Sequence, residues 1–330
     1  MNAPPVLLLT RSAISGLATT RDYLAAMQAA FADLACGRFE VPQVGHVPGL
    51  GGMFHIKGAQ RSGSPSLAAI KVNGNFPGNV TQRQLPTIQG FVALLDAERG
   101  CVLALMDSIE ITARRTAAAT ALAAKHLARP GSRTLAMIGC GVQARYHVEA
   151  LLDVAPIESI AFCDPRDEAA NAFASRMGEL GLQARRTSDA RTAARSADIV
   201  VTVTTSTHPL LGLADVAPGT FVAGVGADNP AKHELAPDLL QGSRVVVDSL
   251  AQASAMGDLH HAIEAGTMRA ADVHGELAQL VAGQVGGRSN GDERWVFDST
   301  GLSIQDLAAA AMIHERAQAA GGVPQIELGN

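Results

Sequence analysis

The chain has 330 residues, a formal net charge of -5, 47 % hydrophobic residues and 17 % charged residues. This length suits about two domains, and the composition excludes a disordered chain. The acidic balance and the 4 % aromatic content argue against a nucleic-acid surface, whether electrostatic or built on base stacking.

Cysteine usage and the lack of long apolar runs indicate a cytoplasmic protein. Cys36, Cys101, Cys140 and Cys163 are far apart and form no CxxC pair, which predicts reduced thiols and no metal ligation. No basic segment precedes an apolar run at the N-terminus, and no apolar run reaches about 18 residues. We therefore expect no signal peptide, no transmembrane helix and no membrane partner.

The first third of the chain predicts one helix followed by strands. Apolar residues recur every three or four positions over residues 20–37, which predicts an amphipathic helix capped by Thr20 and ended by Gly37. Prolines and glycines then interrupt short apolar runs over residues 38–105, which predicts strands joined by turns. A long alanine-rich helix is predicted from Ile111 to Leu127.

From residue 133 onward, strands alternate with helices. The predicted strands are Thr134–Ile138, Ser159–Cys163, Ile199–Val203, Phe221–Val225, Val245–Asp248 and Trp295–Asp298. The predicted helices include Val142–Leu152, Arg166–Leu180 and Ile304–Ala320, the last of which we expect to pack on the N-terminal domain. This alternation predicts an α/β fold with a doubly wound parallel sheet.

A glycine-rich turn between the first of these strands and its helix predicts a dinucleotide site. Gly139, Gly141 and Ala144 form a GxGxxA pattern, in which the first glycine permits a tight turn and the second lets a pyrophosphate approach the backbone. Asp164 ends the next strand, where a carboxylate binds the ribose 2′-hydroxyl and favours NAD over NADP. Arg166 would pair with a 2′-phosphate and allow NADP. The alternative is a glycine turn that binds no nucleotide.

Buried cations are predicted in the N-terminal part. Lys71 lies in the apolar run Ala69–Val72, and a buried ammonium requires an anionic partner, for which a substrate carboxylate would serve. The alternatives are a structural ion pair, or an aliphatic stem that carries the ammonium to the surface. Arg114 and Arg115 are adjacent on the alanine-rich helix and must point in different directions. One inward guanidinium would suit a carboxylate or phosphate, whereas two solvated arginines are the alternative.

Three further polar residues are candidates for chemistry. Asp228 follows the strand Phe221–Val225, and ligands of doubly wound sheets bind at the carboxyl ends of strands. Its carboxylate could act as a general acid/base, or it could cap the turn before Pro230. His55 and Lys57 share one face of a short predicted strand and either line a pocket or face solvent.

These segments resemble the ornithine cyclodeaminase/μ-crystallin family, which also holds an alanine dehydrogenase and ketimine reductases. The resemblance covers nearly the whole chain and rests on Ile70–Gly74, Leu85–Thr87, Thr112–Ala118, Ala124–Ala128, Gly139–Ala144, Val225–Asp228, and Phe297–Gly301 with Asp306. It implies an α+β substrate-binding and dimerisation domain of residues 1–118 plus 303–330. It further implies a Rossmann-type NAD(P)-binding domain of residues 119–302.

The resemblance also implies a role for individual residues. Lys71 would bind the substrate carboxylate, and Arg115 would lie near both that carboxylate and the cofactor. Asp228 would be the catalytic acid beside the reacting amine or imine, and Thr300 would lie near the substrate. The implied dinucleotide contacts, besides Gly139 and Gly141, are Thr87, Val142, Gln143, Asp164, Thr204, Val225, Gly226, Lys232 and Ser299.

Two positions depart from the family's pattern. Gln43 stands where the family has an arginine that grips the α-carboxylate, and we expect Lys57 to replace it as a point charge. His55 stands at about the position of a glutamate that cyclodeaminases use in ring closure. A histidine can move protons but would not reproduce a carboxylate beside a substrate ammonium.

These departures favour one function over two others. We expect a homodimeric, NAD(P)-dependent oxidoreductase that transfers hydride at the α-carbon of a small amino or imino acid carrying a carboxylate. Ornithine cyclodeaminase, which would recycle its NAD while forming proline and ammonia, is the first alternative. A non-catalytic NAD(P)H-binding protein of the crystallin type is the second.

Overall fold

A computed structural model describes residues 4–41 and 45–328. The chain divides into two compact units, Met1–Thr116 with Leu302–Asn330 and Ala117–Gly301.

The strands over the described residues are β1 (Val6–Leu9), β2 (Phe39–Glu40), β3 (Gly45–Gly49), β4 (Gly52–Arg61), β5 (Leu67–Asn75), β6 (Ile88–Asp96), β7 (Val102–Asp107), β8 (Thr134–Ile138), β9 (Ser159–Cys163), β10 (Gln183–Arg186), β11 (Ile199–Thr202), β12 (Thr207–Leu211), β13 (Phe221–Gly224), β14 (His233–Leu235), β15 (Arg244–Val247), β16 (Gly275–Glu276), β17 (Trp295–Asp298) and β18 (Gln325–Ile326). The α-helices are α1 (Arg11–Leu17), α2 (Thr20–Ala35), α3 (Asn79–Arg83), α4 (Ser108–Leu127), α5 (Val142–Leu152), α6 (Asp167–Glu179), α7 (Ala190–Ala194), α8 (Pro237–Gln241), α9 (Leu250–Ala253), α10 (Asp258–Glu264), α11 (Leu277–Val281) and α12 (Ser303–Ala320).

The first unit is built on a mixed sheet. Its strand order is β18-β1-β7-β6-β5-β4-β2, with β3 beside β4. The β1–β7 pair is parallel, whereas β4, β5, β6 and β7 form antiparallel pairs. Helix α12 packs against α2 and on β4 and β5, so the last helix joins the N-terminal part as predicted. The predicted α+β class of this unit is confirmed.

Local hydrogen bonds decide where two predicted helices begin. In α2 the Thr19 hydroxyl accepts the Asp22 N–H and the Asp22 carboxylate accepts the Thr19 N–H, so the cap is Thr19 and the prediction of Thr20 is wrong by one residue. Helix α4 begins three residues before the predicted Ile111, because the Asp107 carboxylate accepts the first free N–H groups of the helix.

The second unit contains a parallel sheet with helices between its strands. The order is β10-β9-β8-β11-β13-β17-β15-β16, and each neighbouring pair runs parallel. Strands β11, β13 and β17 are buried on both faces, which explains why they read as continuous apolar runs. The predicted doubly wound sheet is confirmed.

The order of strands in this sheet defines the edge at which a ligand binds. The chain leaves β8 toward β9 on one side and later returns to β11 on the other. A crevice therefore forms beyond the carboxyl ends of β8 and β11, where doubly wound sheets bind their ligands. The glycine turn after β8 and the segments after β9, β11 and β13 all lie at this edge.

Candidate functional site

Lys71 is a buried lysine in the first unit. It lies on β5 with its side chain on the face of the sheet that α12 covers, and its Nζ lies 2.6 Å from Oδ2 of Asp306 on α12. Burial lowers the pKa of Lys71 to about 8, and the nearby Arg115 and Lys57 add to this shift while Asp306 opposes it. The sequence predicted a buried ammonium with an anionic partner, and Asp306 is such a partner.

Arg115 completes this cluster on the same carboxylate. Its Nε donates to Oδ1 of Asp306 over 3.0 Å, and its Nη1 donates to the Gln305 side-chain carbonyl. Burial alone would raise the pKa of Asp306, but Arg115 and Lys71 together hold it below its usual range. Two buried cations therefore share one carboxylate, which leaves a positive excess.

Gln305 is a polar neighbour of this cluster that the sequence did not reveal. Its Nε2 is buried without a hydrogen-bond acceptor among the described residues, next to the guanidinium of Arg115. A buried donor without a partner is costly, and a ligand oxygen would satisfy it. The signal available in the sequence was a glutamine one position before Asp306, at the start of an apolar helix.

The neighbouring arginine points elsewhere. The Arg114 Nε lies 2.6 Å from Oε1 of Glu110, and its guanidinium stands over the Tyr23 ring. The two arginines thus differ in direction as predicted, although Arg114 is largely covered rather than solvated.

The remaining predicted residues of the first unit lie on or beside its sheet. Lys57 on β4 is the direct cross-strand partner of Lys71, and His55 lies two residues before it, edge-on to the His46 ring. Thr87 directly precedes β6, and its carbonyl accepts the Phe76 N–H. Gln43 lies outside the described residues.

The glycine turn has the features of a dinucleotide site. Gly139 has a φ of +90°, and a Cβ there would lie 2.9 Å from the Val203 carbonyl oxygen, so the turn requires glycine. At Gly141 a Cβ would point into open space, with Arg166 Nη2 the nearest atom at 4.0 Å. Helix α5 starts there without a side-chain cap, so its first N–H groups face a space that a pyrophosphate can fill.

Two side chains at the start of α5 support the same interpretation. Val142 is 61 % exposed although it is apolar, and the Oε1 of Gln143 is buried without a partner among the described residues. A bound dinucleotide would cover the first and give the second a donor. The residues therefore fit the cofactor that the sequence predicted.

Asp164 binds back to the glycine turn. Its Oδ2 accepts the Cys140 N–H over 2.8 Å, and Arg166 donates to the carboxylate through both its backbone and its guanidinium. Burial raises the pKa of Asp164, but these hydrogen bonds outweigh it and lower the pKa overall. In this arrangement Arg166 is held by Asp164 while its side chain remains mostly exposed.

The segments after β11 and β13 carry the next group of predicted residues. Asp228 follows β13 with a side chain that is 54 % exposed, and its Oδ1 lies 2.7 Å from Lys232 Nζ. Thr204 follows β11, and Val225 and Gly226 follow β13. The Val225 N–H donates to the Thr202 carbonyl and ties the two strand ends together.

Ser299 and Thr300 follow β17 and are buried. The Ser299 N–H donates to the Gly224 carbonyl, while the Thr300 hydroxyl bonds to Asp248 and accepts from Gln252 Nε2. The hydroxyl of Thr300 is thus held in a buried network, and its contact with substrate stays a prediction.

Neither a metal centre nor a membrane segment is found over residues 4–41 and 45–328. No group of three or more His, Cys, Asp or Glu side chains in those ranges could hold a metal ion. No helix there is both long enough and apolar enough to cross a bilayer.

The chain is similar in sequence and structure to proteins of one known family. The profile of the ornithine cyclodeaminase/mu-crystallin family matches residues 6–321. The chain belongs to this family. The family that the sequence motifs suggested is therefore confirmed.

Two relatives cover nearly the full length of the chain. The alanine dehydrogenase of Archaeoglobus fulgidus is 35 % identical over 311 residues, which are 94 % of this chain and 95 % of that protein. The iminosuccinate reductase of Paracoccus denitrificans is 34 % identical over 328 residues, 98 % of this chain and 100 % of that protein.

Solved structures show the same fold. An archaeal alanine dehydrogenase dimer with bound NAD has a TM-score of 0.92 at 34 % identity, covering 98 % of this chain and 99 % of that one. The Thermococcus litoralis Δ1-pyrroline-2-carboxylate reductase, in complex with NADH and L-proline, has a TM-score of 0.92 at 31 % identity and covers 98 % and 100 %.

Proposed function

We propose that this chain is an NAD-dependent oxidoreductase of small amino or imino acids. Its first unit would bind the carboxylate of the substrate, and its second unit would bind the dinucleotide. The named relatives act on substrates of this kind, and two of the similar structures contain NAD or NADH.

The observation that carries the proposal is the shared carboxylate in the first unit. Among the described residues, Asp306 is the only carboxylate within 4.0 Å of Lys71 or Arg115. A buried positive excess is unfavourable without an anion, and the unpartnered Gln305 amide lies beside it. A substrate carboxylate would neutralise the excess and accept from that amide.

Different residues of the chain would then perform separate steps of the reaction. Lys71 and Arg115 bind the carboxylate and fix the α-carbon, which supplies much of the rate through orientation. Asp228 gives a proton to the imine nitrogen during reduction, or takes one from the amine in the reverse direction. The glycine turn at Gly139 and Gly141 would hold a dinucleotide, which would supply or accept the hydride. Because Asp228 is exposed, its proton can exchange with solvent.

A homodimer is supported by the outer face of the first unit's sheet. Phe54, Ile70 and Phe91 lie on adjacent strands with exposed fractions of 38 %, 42 % and 44 %, next to the partly buried Ile56 and Val72. Exposed apolar patches of this kind mark interfaces. A second copy of the chain is the proposed occupant, since the similar archaeal alanine dehydrogenase is a dimer.

The cysteines support a cytoplasmic location. Cys36, Cys101, Cys140 and Cys163 are free thiols, and burial raises the pKa of Cys140 to about 12 and that of Cys163 to about 11. The raised pKa makes Cys140 and Cys163 poor nucleophiles, and four cysteines without a disulfide suit a reducing compartment.

A substrate screen tests the proposal. The purified chain would be assayed with NADH and NADPH against Δ1-pyrroline-2-carboxylate, and against pyruvate and oxaloacetate with ammonia, which form the corresponding imines. L-alanine, L-proline, L-aspartate and L-ornithine would be tested with NAD⁺. NADH absorbance and free ammonia would be recorded together.

The outcomes separate the three candidate functions. NADH consumption with an imine, or NADH formation with an amino acid, supports the oxidoreductase. Ornithine giving proline and ammonia without net NADH change identifies a cyclodeaminase instead. NADH binding without turnover of any compound identifies a non-catalytic binding protein.

A further inference from the structure

Glu234 is a fully buried carboxylate in the second unit that the proposed chemistry does not use. It lies on β14, and its oxygens accept three hydrogen bonds. Oε1 accepts the Thr204 N–H over 2.6 Å, and Oε2 accepts the Thr202 hydroxyl and the Gly226 N–H over 2.7 Å each. Burial raises the pKa of Glu234, and these hydrogen bonds oppose that shift.

The partners of Glu234 belong to two neighbouring strand ends. Thr202 and Thr204 lie at and after the end of β11, and Gly226 lies after the end of β13. A Cβ at Gly226 would be 2.4 Å from the Thr204 carbonyl oxygen and 2.6 Å from Glu234 Cδ. The two segments therefore close tightly around one carboxylate.

The hydrogen bonds of Glu234 also fix the start of the turn that carries Asp228, the proposed catalytic acid. The Asp228 N–H donates to the Gly226 carbonyl over 3.0 Å, so the turn that carries Asp228 starts at a residue held by Glu234. Thr204 and Gly226 are also proposed cofactor contacts. One side chain thus fixes the spacing of cofactor contacts and acid at this edge of the sheet.

A second buried carboxylate holds Glu234 itself. Oδ1 of Asp258 accepts the N–H groups of Glu234 and Leu235 over 2.8 and 2.9 Å, and β14 pairs with β12. The backbone of Glu234 is therefore fixed independently of its side chain.

The donors explain why a carboxylate stands at this position. Three donors converge on it, and an ionised carboxylate offers acceptors only. A glutamine would turn an NH2 group toward at least one of these donors and leave an N–H unpaired in a dry site.

We propose that Glu234 is a positioning residue for the proposed hydride transfer, acting through the segments that follow β11 and β13. The inference rests on the proposed function. In this role Glu234 sets the distance between the dinucleotide contacts and Asp228, and it does not contact the substrate itself.

The test compares Glu234→Gln with a variant at the other end of β11, the strand whose carboxyl end Glu234 holds. Asp198 directly precedes β11, and its Oδ2 accepts the N–H groups of Arg133 and Thr134 and the Thr134 hydroxyl. Asp198→Asn therefore disturbs donors of the same kind, two N–H groups and one hydroxyl, away from the cofactor edge. It also weakens the ion pair of Asp198 with Arg129. For each variant we would measure Tm, the NADH Kd by fluorescence, and kcat and KM well below Tm.

We expect both variants to lower Tm, but only Glu234→Gln to change catalysis. Its kcat should fall about 100-fold, the effect of a displacement of roughly 1 Å, and its NADH Kd should rise. Its KM for the amino or imino acid should stay unchanged, because the Lys71 cluster belongs to the other unit. Gly226→Ala, which separates the same segments while keeping Glu234, should reproduce this pattern.

Three results would overturn the inference: unchanged kcat and NADH Kd in Glu234→Gln, an equal loss of kcat in Asp198→Asn, or unchanged kinetics in Gly226→Ala. If Glu234→Gln does not fold, Thr202→Val decides instead, because it removes one donor of Glu234 at a residue with no proposed cofactor contact. It should lower kcat and raise the NADH Kd, and unchanged values would overturn the inference. If the wild-type chain turns over no substrate, the proposed function fails, and the NADH Kd values still decide whether Glu234 positions the cofactor segments.

Discussion

Replacement of Lys71 by methionine should weaken substrate binding without unfolding the protein. Methionine keeps an apolar stem in the buried strand, and Asp306 retains its 3.0 Å hydrogen bond from Arg115. A hydrogen bond to a charged group contributes about 1.5–3 kcal/mol. We therefore expect KM for the carboxylate substrate to rise about 10- to 150-fold, with the NADH Kd unchanged.

Steady-state NADH assays at varied substrate concentration measure this effect. Arg99→Met is the matched control, since it removes one cation of the same unit that pairs with Asp96 at the surface. It should leave KM unchanged. An unchanged KM in Lys71→Met, or an equal rise in Arg99→Met, would refute the assignment of Lys71 to the carboxylate site.

The pH dependence gives a second measure of the same residue. Burial lowers the pKa of Lys71 to about 8, so the ammonium is lost as the pH rises through that value. We expect kcat/KM of the wild type to fall above about pH 8. Lys71→Arg keeps its charge and should abolish this fall, and persistence of the fall in that variant would assign it to another group.

Four further substitutions test the proposed acid, the ribose contact, a buried carboxylate and the exposed sheet face. Asp228→Asn should lower kcat about 100-fold or more at unchanged NADH Kd, and wild-type turnover would remove Asp228 from the reaction. Asp164→Ala should raise the NADH Kd about 10-fold, from the loss of roughly 1.4 kcal/mol, and the NADPH Kd less; equal effects on both would contradict a ribose contact. Burial raises the pKa of Asp298 to about 7, so its contribution to stability is lost as the pH rises through 7. Asp298→Asn should therefore flatten the fall in Tm between about pH 4 and pH 7, and a slope as steep as that of the wild type would contradict this. Phe91→Asp should convert the proposed dimer to monomers, as measured by light scattering, and an unchanged dimer mass would place the interface elsewhere.

The doubly wound sheet could be predicted from the sequence because its central strands β11, β13 and β17 are buried on both faces. The bounds of β8, β9 and β17 agree with the apolar runs that predicted them. Helices α1 and α3 were not predicted, because they are seven and five residues long and bury one residue each. Segments that short carry too few periodic positions to be recognised.

The candidate site was predictable where a residue differs in polarity or size from its neighbours in the sequence. Lys71 in an apolar run predicted a buried ion pair, and the glycine turn predicted backbone N–H groups that a ligand can approach. The sequence could not show that Gln305 stands beside Arg115, or that Glu234 ties two strand ends, because both depend on contacts between distant segments. An isolated acid such as Glu234 between short apolar stretches is also typical of an ordinary surface loop.

The pairing of Lys71 with Asp306 has a consequence for the order of events during synthesis. Lys71 is translated early, whereas Asp306 lies on α12, near the end of the described chain. The continuous unit Ala117–Gly301 can fold as soon as it leaves the ribosome, since domains generally fold as units during translation. The first unit is discontinuous in sequence, so the Lys71 ammonium on β5 lacks its Asp306 partner until α12 has been translated. A messenger RNA truncated before Leu302 would therefore yield a folded second unit and a first-unit sheet that lacks its last helix, a product suited to degradation rather than to catalysis.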